Sequence, residues 1–134
     1  MVGELGVVQG WLDAVNEQDA TGVEELSSAH VEIVGPRGQG LMTRAVLGEW
    51  LARAGFTSQA VRWFCGAGGR VAVEQRARWR DVTTGEPQAQ LRIGSEFVVH
   101  DGHVAKYVRH DDGVAGALIS AGLDEQRDVV TSRQ

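Results

Sequence analysis

Hydrophobic residues in the first part of the chain recur at steps of three and four. The apolar stripe comprises Leu5, Val8, Trp11, Leu12 and Val15. This spacing is typical of an amphipathic helix, which we expect to end near Asn16. Asp19 is placed to cap a second short helix, and Thr43 is placed to cap a third. Gly55 should end the third helix, because glycine readily adopts the left-handed conformation that stops a helix.

From about residue 57 the hydrophobic period changes to two, which predicts strands. The predicted strands cover residues 57–65, 70–80, 88–99 and 103–110. Short glycine-containing connections join them, so we expect an antiparallel meander. An earlier strand is predicted over residues 31–34, and residues 35–40 are predicted to form a loop. A closing helix is predicted over residues 114–123, and the polar residues 124–134 are expected to fray.

Three helices followed by four long strands predict one α+β domain over residues 1–123, with a polar tail over residues 124–134. The 134 residues carry a formal net charge of −5, which is unfavourable for binding nucleic acid. The single cysteine, Cys65, excludes an internal disulfide framework. No apolar run reaches about 18 residues, so neither a membrane span nor a membrane partner is expected and a cytoplasmic location is predicted.

Two polar residues, Gln75 and Ser95, interrupt the alternating apolar rows of the second and third long strands. If Trp79 pairs near Ala89, Ser95 falls beside Val73 and one diagonal step from Gln75. A buried polar group needs a partner, since leaving it unsatisfied costs about 1–3 kcal/mol. Two interpretations remain open: these side chains bond to each other or to the backbone, or they line a cavity.

Two sequence segments resemble a known group of proteins. VVQGWLDAVNEQD (residues 7–19) and AHVEIVGPRG (residues 29–38) are similar to the opening of the ketosteroid isomerase and SnoaL-like cyclase branch of the nuclear transport factor 2-like superfamily. The resemblance implies a cystatin-like cone, in which a curved antiparallel sheet wraps three N-terminal helices, with a short C-terminal helix and an apolar pocket. The pocket is expected among Trp11, Val15, Ile33, Trp50, Gln75, Ser95, Phe97, Tyr107 and Arg109.

The same resemblance implies that the isomerase catalytic residues are replaced. The tyrosine of its oxyanion hole corresponds to Trp11, its carboxylate base to Ile33 or Gly35, and its protonated aspartate to Ser95. None of these residues supplies the same proton chemistry. The loop before residue 40 would border the pocket mouth, where Arg37 is available to an anionic ligand.

Tyr107 and Arg109 are the remaining catalytic candidates, because an arginine can lower the pKa of a phenol and make it a usable base. Arg109 could face the cavity, or it could reach the rim and pair with Asp111 or Asp112. An inward arginine would suit a carboxylate-bearing or polar aromatic ligand.

Trp63 is predicted to lie on the outer face of the sheet, given a four-residue turn over residues 66–69. An exposed apolar strip there would indicate an interface, and similar proteins commonly dimerise through the outer face of the sheet. A homodimer with Trp63 in its interface is therefore expected. A register slip or a bulge would invert this assignment.

The four histidines lack ligand spacing, so neither a metal nor another cofactor is predicted. We expect a pocket domain that binds a small apolar or aromatic ligand. Two alternatives remain: a lyase, isomerase or hydrolase acting on a small polyketide-, steroid- or terpene-like substrate, and a non-catalytic dimeric assembly domain.

Overall fold

Helices and strands follow one another much as the hydrophobic pattern predicts. A computed structural model of the chain describes residues 3–35 and 38–130. The elements are α1 (Gly3–Asn16), α2 (Ala20–Glu25), β1 (Ser27–Gly35), β2 (Gly38–Thr43), α3 (Arg44–Ala54), β3 (Phe56–Cys65), β4 (Arg70–Arg80), β5 (Pro87–His100), β6 (His103–His110) and α4 (Val114–Ala121). No helix in the described ranges is long and apolar enough to cross a membrane.

The predicted helix caps are present. Asp19 Oδ1 accepts a hydrogen bond from the Gly22 amide at 3.0 Å. Thr43 Oγ1 accepts one from the Val46 amide at 3.3 Å. Gly55 ends α3 in the left-handed conformation with φ 60°. These local signals therefore set both ends of α3.

The six strands form one sheet in the order β2-β1-β6-β5-β4-β3. Strands β3 to β6 are the predicted antiparallel meander. Strand β1 runs parallel to β6, with Ile33 opposite Tyr107 and Val34 opposite Val108. This pairing brings the early part of the chain beside the last strand.

The prediction of a loop over residues 35–40 is wrong for residues 38–40. They open β2, where Gly38 is opposite Gly35 and Gly40 is opposite Ile33. Because the glycines carry no side chain, this segment shows no alternation of apolar and polar residues that would predict a strand. Pro36 and Arg37 lie outside the described residues, as does the expected role of Arg37.

The main core lies between the helices and the inner face of the sheet. The rings of Trp11, Phe97 and Tyr107 meet there, with centroid separations of 5.1 to 5.5 Å. Val15 and Phe97 are fully buried in this core. Such close contacts between rings stabilise the packing beyond the area they bury.

The outer face of the sheet carries α4 and a second apolar cluster. Its buried members are Phe64, Ala72, Val114 and Leu118. A Cβ on Gly94 would lie 2.6 Å from Val114 Cα and 2.7 Å from the Gly113 carbonyl oxygen. Only glycine therefore lets the start of α4 approach β5 this closely.

The prediction that Trp63 faces outward is wrong. The Gly66 amide donates to the Arg70 carbonyl at 3.0 Å, so Gly66 stays in the strand ladder and the loop has three residues, 67–69. This moves the register by one residue and places Trp63 opposite Val73, against the inner core. The expected interface role of Trp63 rested on its outward direction and falls with it.

The expectation that the tail frays is wrong for residues 128–130. The Cys65 amide donates to the Asp128 carbonyl at 3.1 Å, and the Val130 amide donates to the Trp63 carbonyl at 2.8 Å. These bonds place residues 128–130 alongside the last residues of β3, at the edge of the sheet. Residues 131–134 lie outside the described ranges.

Candidate functional site

A cavity of about 580 Å³ opens between α1, α3, the β1–β2 hairpin and β6. Its wall consists of Trp11, Ile33, Val34, Gly35, Gly38, Gln39, Gly40, Met42, Leu47, Trp50, Phe56, Tyr107 and Arg109. Most of these residues are apolar or aromatic. This volume and this character are typical of small-molecule sites.

Trp11 presents its ring to the cavity but not its N–H group. Its side chain is 1% exposed, and Nε1 donates to Ser27 Oγ at 3.0 Å. Ser27 Oγ in turn donates to the Val23 carbonyl at 2.6 Å. The indole donor is therefore already used inside the protein, and Trp11 is positioned as an apolar surface.

Arg109 combines the two positions considered for it from the sequence, facing the cavity and pairing with an aspartate. It lines the cavity, and it pairs with Asp111 through two hydrogen bonds, Nε to Oδ1 at 2.7 Å and Nη2 to Oδ2 at 3.2 Å. The guanidinium carbon also lies 5.2 Å from the centre of the Trp79 ring. The carboxylate neutralises the cation and the ring helps to hold it in place, while Nη1 takes no part in the Asp111 pair.

Tyr107 is buried, and burial raises the pKa of its phenol above the ordinary value of 10.0. The Ser95 hydroxyl and the charge of Arg109 act in the opposite direction but do not overcome burial. The pKa thus moves away from the range of a general base, contrary to the expected effect of Arg109. At neutral pH the phenol is a hydrogen-bond donor.

The direction of β6 side chains, ambiguous in the sequence, is set by an irregularity in its pairing. The register with β5 shifts between Val98 and Val99. Val104 therefore faces the core at one end of the strand, while Tyr107 and Arg109 face the cavity further along. A single alternation cannot describe such a strand.

Gln75 and Ser95 have the predicted register, since Ser95 is opposite Val73 and Gln75 is opposite Ile93. Gln75 Nε2 donates to Ser58 Oγ at 2.6 Å. Gln75 Oε1 is buried without a hydrogen-bond partner among the described residues, and no well-aligned hydrogen bond joins Ser95 Oγ to the nearby Tyr107 phenol. Both residues lie in the core and not in the cavity wall.

The structure brings together part of the expected pocket. The expected residues that line the cavity are Trp11, Ile33, Trp50, Tyr107 and Arg109. The expected residues that lie in the core instead are Val15, Gln75, Ser95 and Phe97. Sequence reasoning missed the contribution of β2, because it predicted a loop there. It also missed Leu47 and Phe56, whose apolar character alone does not separate a cavity wall from a core.

The histidines and the cysteine do not join this site. His100 and His103 flank the turn at Asp101, and His110 Nε2 lies 3.7 Å from Glu96 Oε1 near α4. Burial raises the pKa of the Cys65 thiol, which makes the thiolate less accessible. No group of three or more potential metal ligands occurs in residues 3–35 and 38–130.

No family model matches the sequence, and no curated protein matches it. The fold of the chain, in contrast, matches solved structures. A nuclear transport factor 2-like protein of unknown function from Cytophaga hutchinsonii is 10% identical, with 82% of this chain and 90% of that chain covered and a TM-score of 0.70. TerC, co-crystallised with polyporic acid, is 18% identical, with 88% and 96% covered and a TM-score of 0.67.

SalBIII, an epoxide hydrolase/cyclase-like enzyme with a role in pyran ring formation in the polyether salinomycin, is 19% identical. The alignment covers 80% of this chain and 88% of that chain, with a TM-score of 0.70. The chain therefore has the nuclear transport factor 2-like, or cystatin-like, fold. At these identities the likeness concerns the fold alone.

Proposed function

We propose that the cavity binds a small apolar or aromatic ligand that carries a neutral hydrogen-bond acceptor, such as a ketone. The observation that carries the proposal is the composition of the cavity wall, in which aromatic rings surround Arg109, a cation that already has a counter-ion. Each part of this wall favours a different part of the ligand.

The apolar part of the ligand would lie against Trp11, Trp50 and Phe56. Trp11 has no free N–H group, so its contribution is burial of apolar surface and ring contact. Burial of apolar area stabilises a complex by roughly 25 cal/mol per Å² before the costs of association. A planar ring system would use these faces best.

The polar group of the ligand would lie near Tyr107 and Arg109. Tyr107 remains protonated and donates, and Arg109 Nη1 is left over from the Asp111 pair. Because Asp111 already neutralises the guanidinium, a second carboxylate would face both attraction and repulsion. A neutral carbonyl oxygen accepts from these donors without that repulsion.

Binding is favoured over acid–base catalysis by the residues of the wall. The described residues that line the cavity include no carboxylate and no imidazole. The only phenol has a raised pKa and is poorly suited to abstract a proton. SalBIII shares the fold at 19% identity, so its role in pyran ring formation does not assign catalysis to this chain.

The test uses three naphthalenes of similar shape, 2-acetylnaphthalene, 2-ethylnaphthalene and 2-naphthoate, titrated into ¹⁵N-labelled protein. The indole N–H resonances of the four tryptophans serve as separate reporters. We expect Trp11 and Trp50 to shift and Trp63 to stay constant. The ketone should bind at least about threefold more tightly than the other two probes, as expected for one added neutral hydrogen bond.

A pocket-filling substitution, Ile33→Tyr, should abolish the shifts, while the matched substitution Val61→Tyr at an exposed position on β3 should not. Absence of any Trp11 or Trp50 shift with all three probes would refute ligand binding. Equal affinity for all three would leave the cavity as a binding site and refute only the assignment of its polar end.

A further inference from the structure

The two edges of the sheet differ in how they are protected. At the β3 edge, residues 128–130 pair with residues 63–65, and the Asn16 side chain bonds to the Ser58 backbone. The stretch between them carries a bulge and the charged Arg62, which both disfavour pairing with another strand. At the other edge, β2 pairs only with β1 within the described residues. An uncovered edge strand presents free N–H and C=O groups that can accept another strand.

Strand β2 lacks the usual features that keep an edge from pairing. Its sequence, GQGLMT, contains no charged residue and no proline. Leu41, in the middle of the strand, is 67% exposed. By contrast, the stretch of β5 that extends past β6 begins with Pro87 and contains Arg92. Of these edge stretches, β2 is the one suited to accept a strand.

We infer that β2 pairs antiparallel with β2 of a second copy of this chain, with Leu41 opposite Leu41 of the second copy. In that register Gln39 is opposite Thr43 of the second copy, and Gly40 is opposite its Met42. Residues that lie opposite each other point to the same face, so the inner faces of the two sheets stay continuous. The two leucines meet on the outer face.

Charge is compatible with this arrangement. No residue of β2 is ionisable, so self-pairing places no like charges opposite each other. The nearest carboxylate on the same face is Glu32, which is opposite Leu41 on β1. Two copies of Glu32 would be three strand spacings apart, about 14 Å, which exceeds the screening length at physiological salt.

The outer face of the sheet is less suitable for a symmetric dimer. Helix α4 covers one part of it. On the other part Arg76 is directly opposite Arg92, and Arg78 follows on β4. A two-fold axis passing through this pair would bring the arginines close to their own copies, which costs free energy. We therefore expect a homodimer to form through β2 and not through this face.

Pairing at β2 would also act on the cavity. Gly38, Gly40 and Met42 line the cavity wall and belong to this strand. A second strand beside them would fix the backbone of a wall that carries few side chains. Pairing between two β2 strands does not require the ligand proposed above, because only the open edge of β2 takes part in it.

A disulfide across the two-fold axis tests the register. In a Cys65→Ala background, Leu41→Cys should form a covalent dimer under mild oxidation, because directly opposite strand residues have Cα atoms about 4.5–5.5 Å apart. Val82→Cys, at a residue that is 56% exposed, is the control for random collision. Leu41→Cys should cross-link at least about tenfold faster than the control, as expected for preformed proximity over diffusional encounter.

Light scattering coupled to gel filtration tests the dimer itself across a range of concentrations. The wild type should be a dimer at high concentration, and Leu41→Lys should be a monomer with unchanged circular dichroism. A wild type that stays monomeric, a dimer that survives Leu41→Lys, or equal cross-linking of the two cysteine variants would each overturn the inference.

Discussion

The side chains of Arg109 and Asp111 form a two-point ion pair at the cavity, although only one residue separates them in the chain. The pair spans the end of β6, where the strand gives way to the turn before α4. It keeps a cation at an apolar wall without leaving it uncompensated. The ligand preference of the cavity should therefore be set by Asp111 as much as by Arg109.

Replacement Asp111→Asn should make the cavity select anions. The amide keeps the shape of the carboxylate but removes the counter-charge of the guanidinium, so a ligand carboxylate can take its place. We expect the affinity for 2-naphthoate to rise about tenfold relative to 2-acetylnaphthalene, measured by calorimetry. Asp112→Asn, one residue further on, is the control and should leave the ratio unchanged. An unaltered ratio in Asp111→Asn would show that Asp111 does not set the preference.

Tyr107 is the only tyrosine, so ultraviolet absorbance near 295 nm reports its ionisation alone. Burial raises its pKa above 10.0 in the folded protein. The unfolded state then releases the phenolic proton first, and the free energy of unfolding should fall as the pH rises through and above 10.0. In Tyr107→Phe this alkaline loss should be smaller. Titration of the folded protein at or below the ordinary value would contradict the prediction.

Ser27 should contribute to stability through Trp11. Ser27→Ala removes the acceptor of a buried indole N–H, and we expect a loss of about 1–2 kcal/mol in urea unfolding. In a Trp11→Phe background the same substitution should cost less, because no indole donor is left unpaired. Ser28→Ala, at the neighbouring position, is the control. Strictly additive effects of Trp11→Phe and Ser27→Ala would contradict the coupling.

Glu74 should make the free energy of unfolding fall as the pH is lowered into the acid range. Burial opposes its ionisation, but hydrogen bonds and charge from Arg62 and Arg92 outweigh burial and lower the pKa below 4.5. Its stabilising contribution is thus present above 4.5 and lost as the pH falls through the lower, folded-state pKa. Glu74→Gln should cost about 1 kcal/mol at neutral pH and flatten this acid dependence.

Glu125→Gln provides the matched comparison for Glu74. Glu125 also pairs with Arg62, at 2.9 Å, but its side chain is largely exposed. Its removal should change the free energy of unfolding by no more than about 0.5 kcal/mol. Identical acid profiles for wild type and Glu74→Gln would show that the ion pairs of Glu74 do not stabilise the fold.

Local sequence signals predict most of the helices and strands. The register between strands depends on loop lengths and bulges that the sequence does not specify. Thr43 and Gly55 mark α3 because capping involves only neighbouring residues. The hairpin after β3 could take a loop of three or four residues, and this one-residue choice decides the side on which Trp63 lies. The bulge between Ala60 and Arg62 has no local sequence signal either.

Cavity-lining residues could be predicted where their direction follows from the local helix. They could not be predicted where their direction depends on pairing between distant strands. Trp11 and Trp50 occupy helix positions whose direction follows from helical periodicity. The inward direction of Arg109 depends on a shift in pairing at Val98, and the wall formed by β2 depends on pairing with β1. Such pairings between strands are set by the whole sheet, so no single segment reports them.

The parallel pairing of β1 with β6 has a consequence for the order of folding. The β1–β2 hairpin can join the sheet only when β6 is available, near the end of the described chain. Until a ribosome has released that strand, Ile33 and Val31 have no completed sheet beside them. Closing so long a loop is slow, and the apolar edge stays exposed meanwhile. The step that completes the cavity wall is therefore expected to be the last and slowest in the biogenesis of this protein.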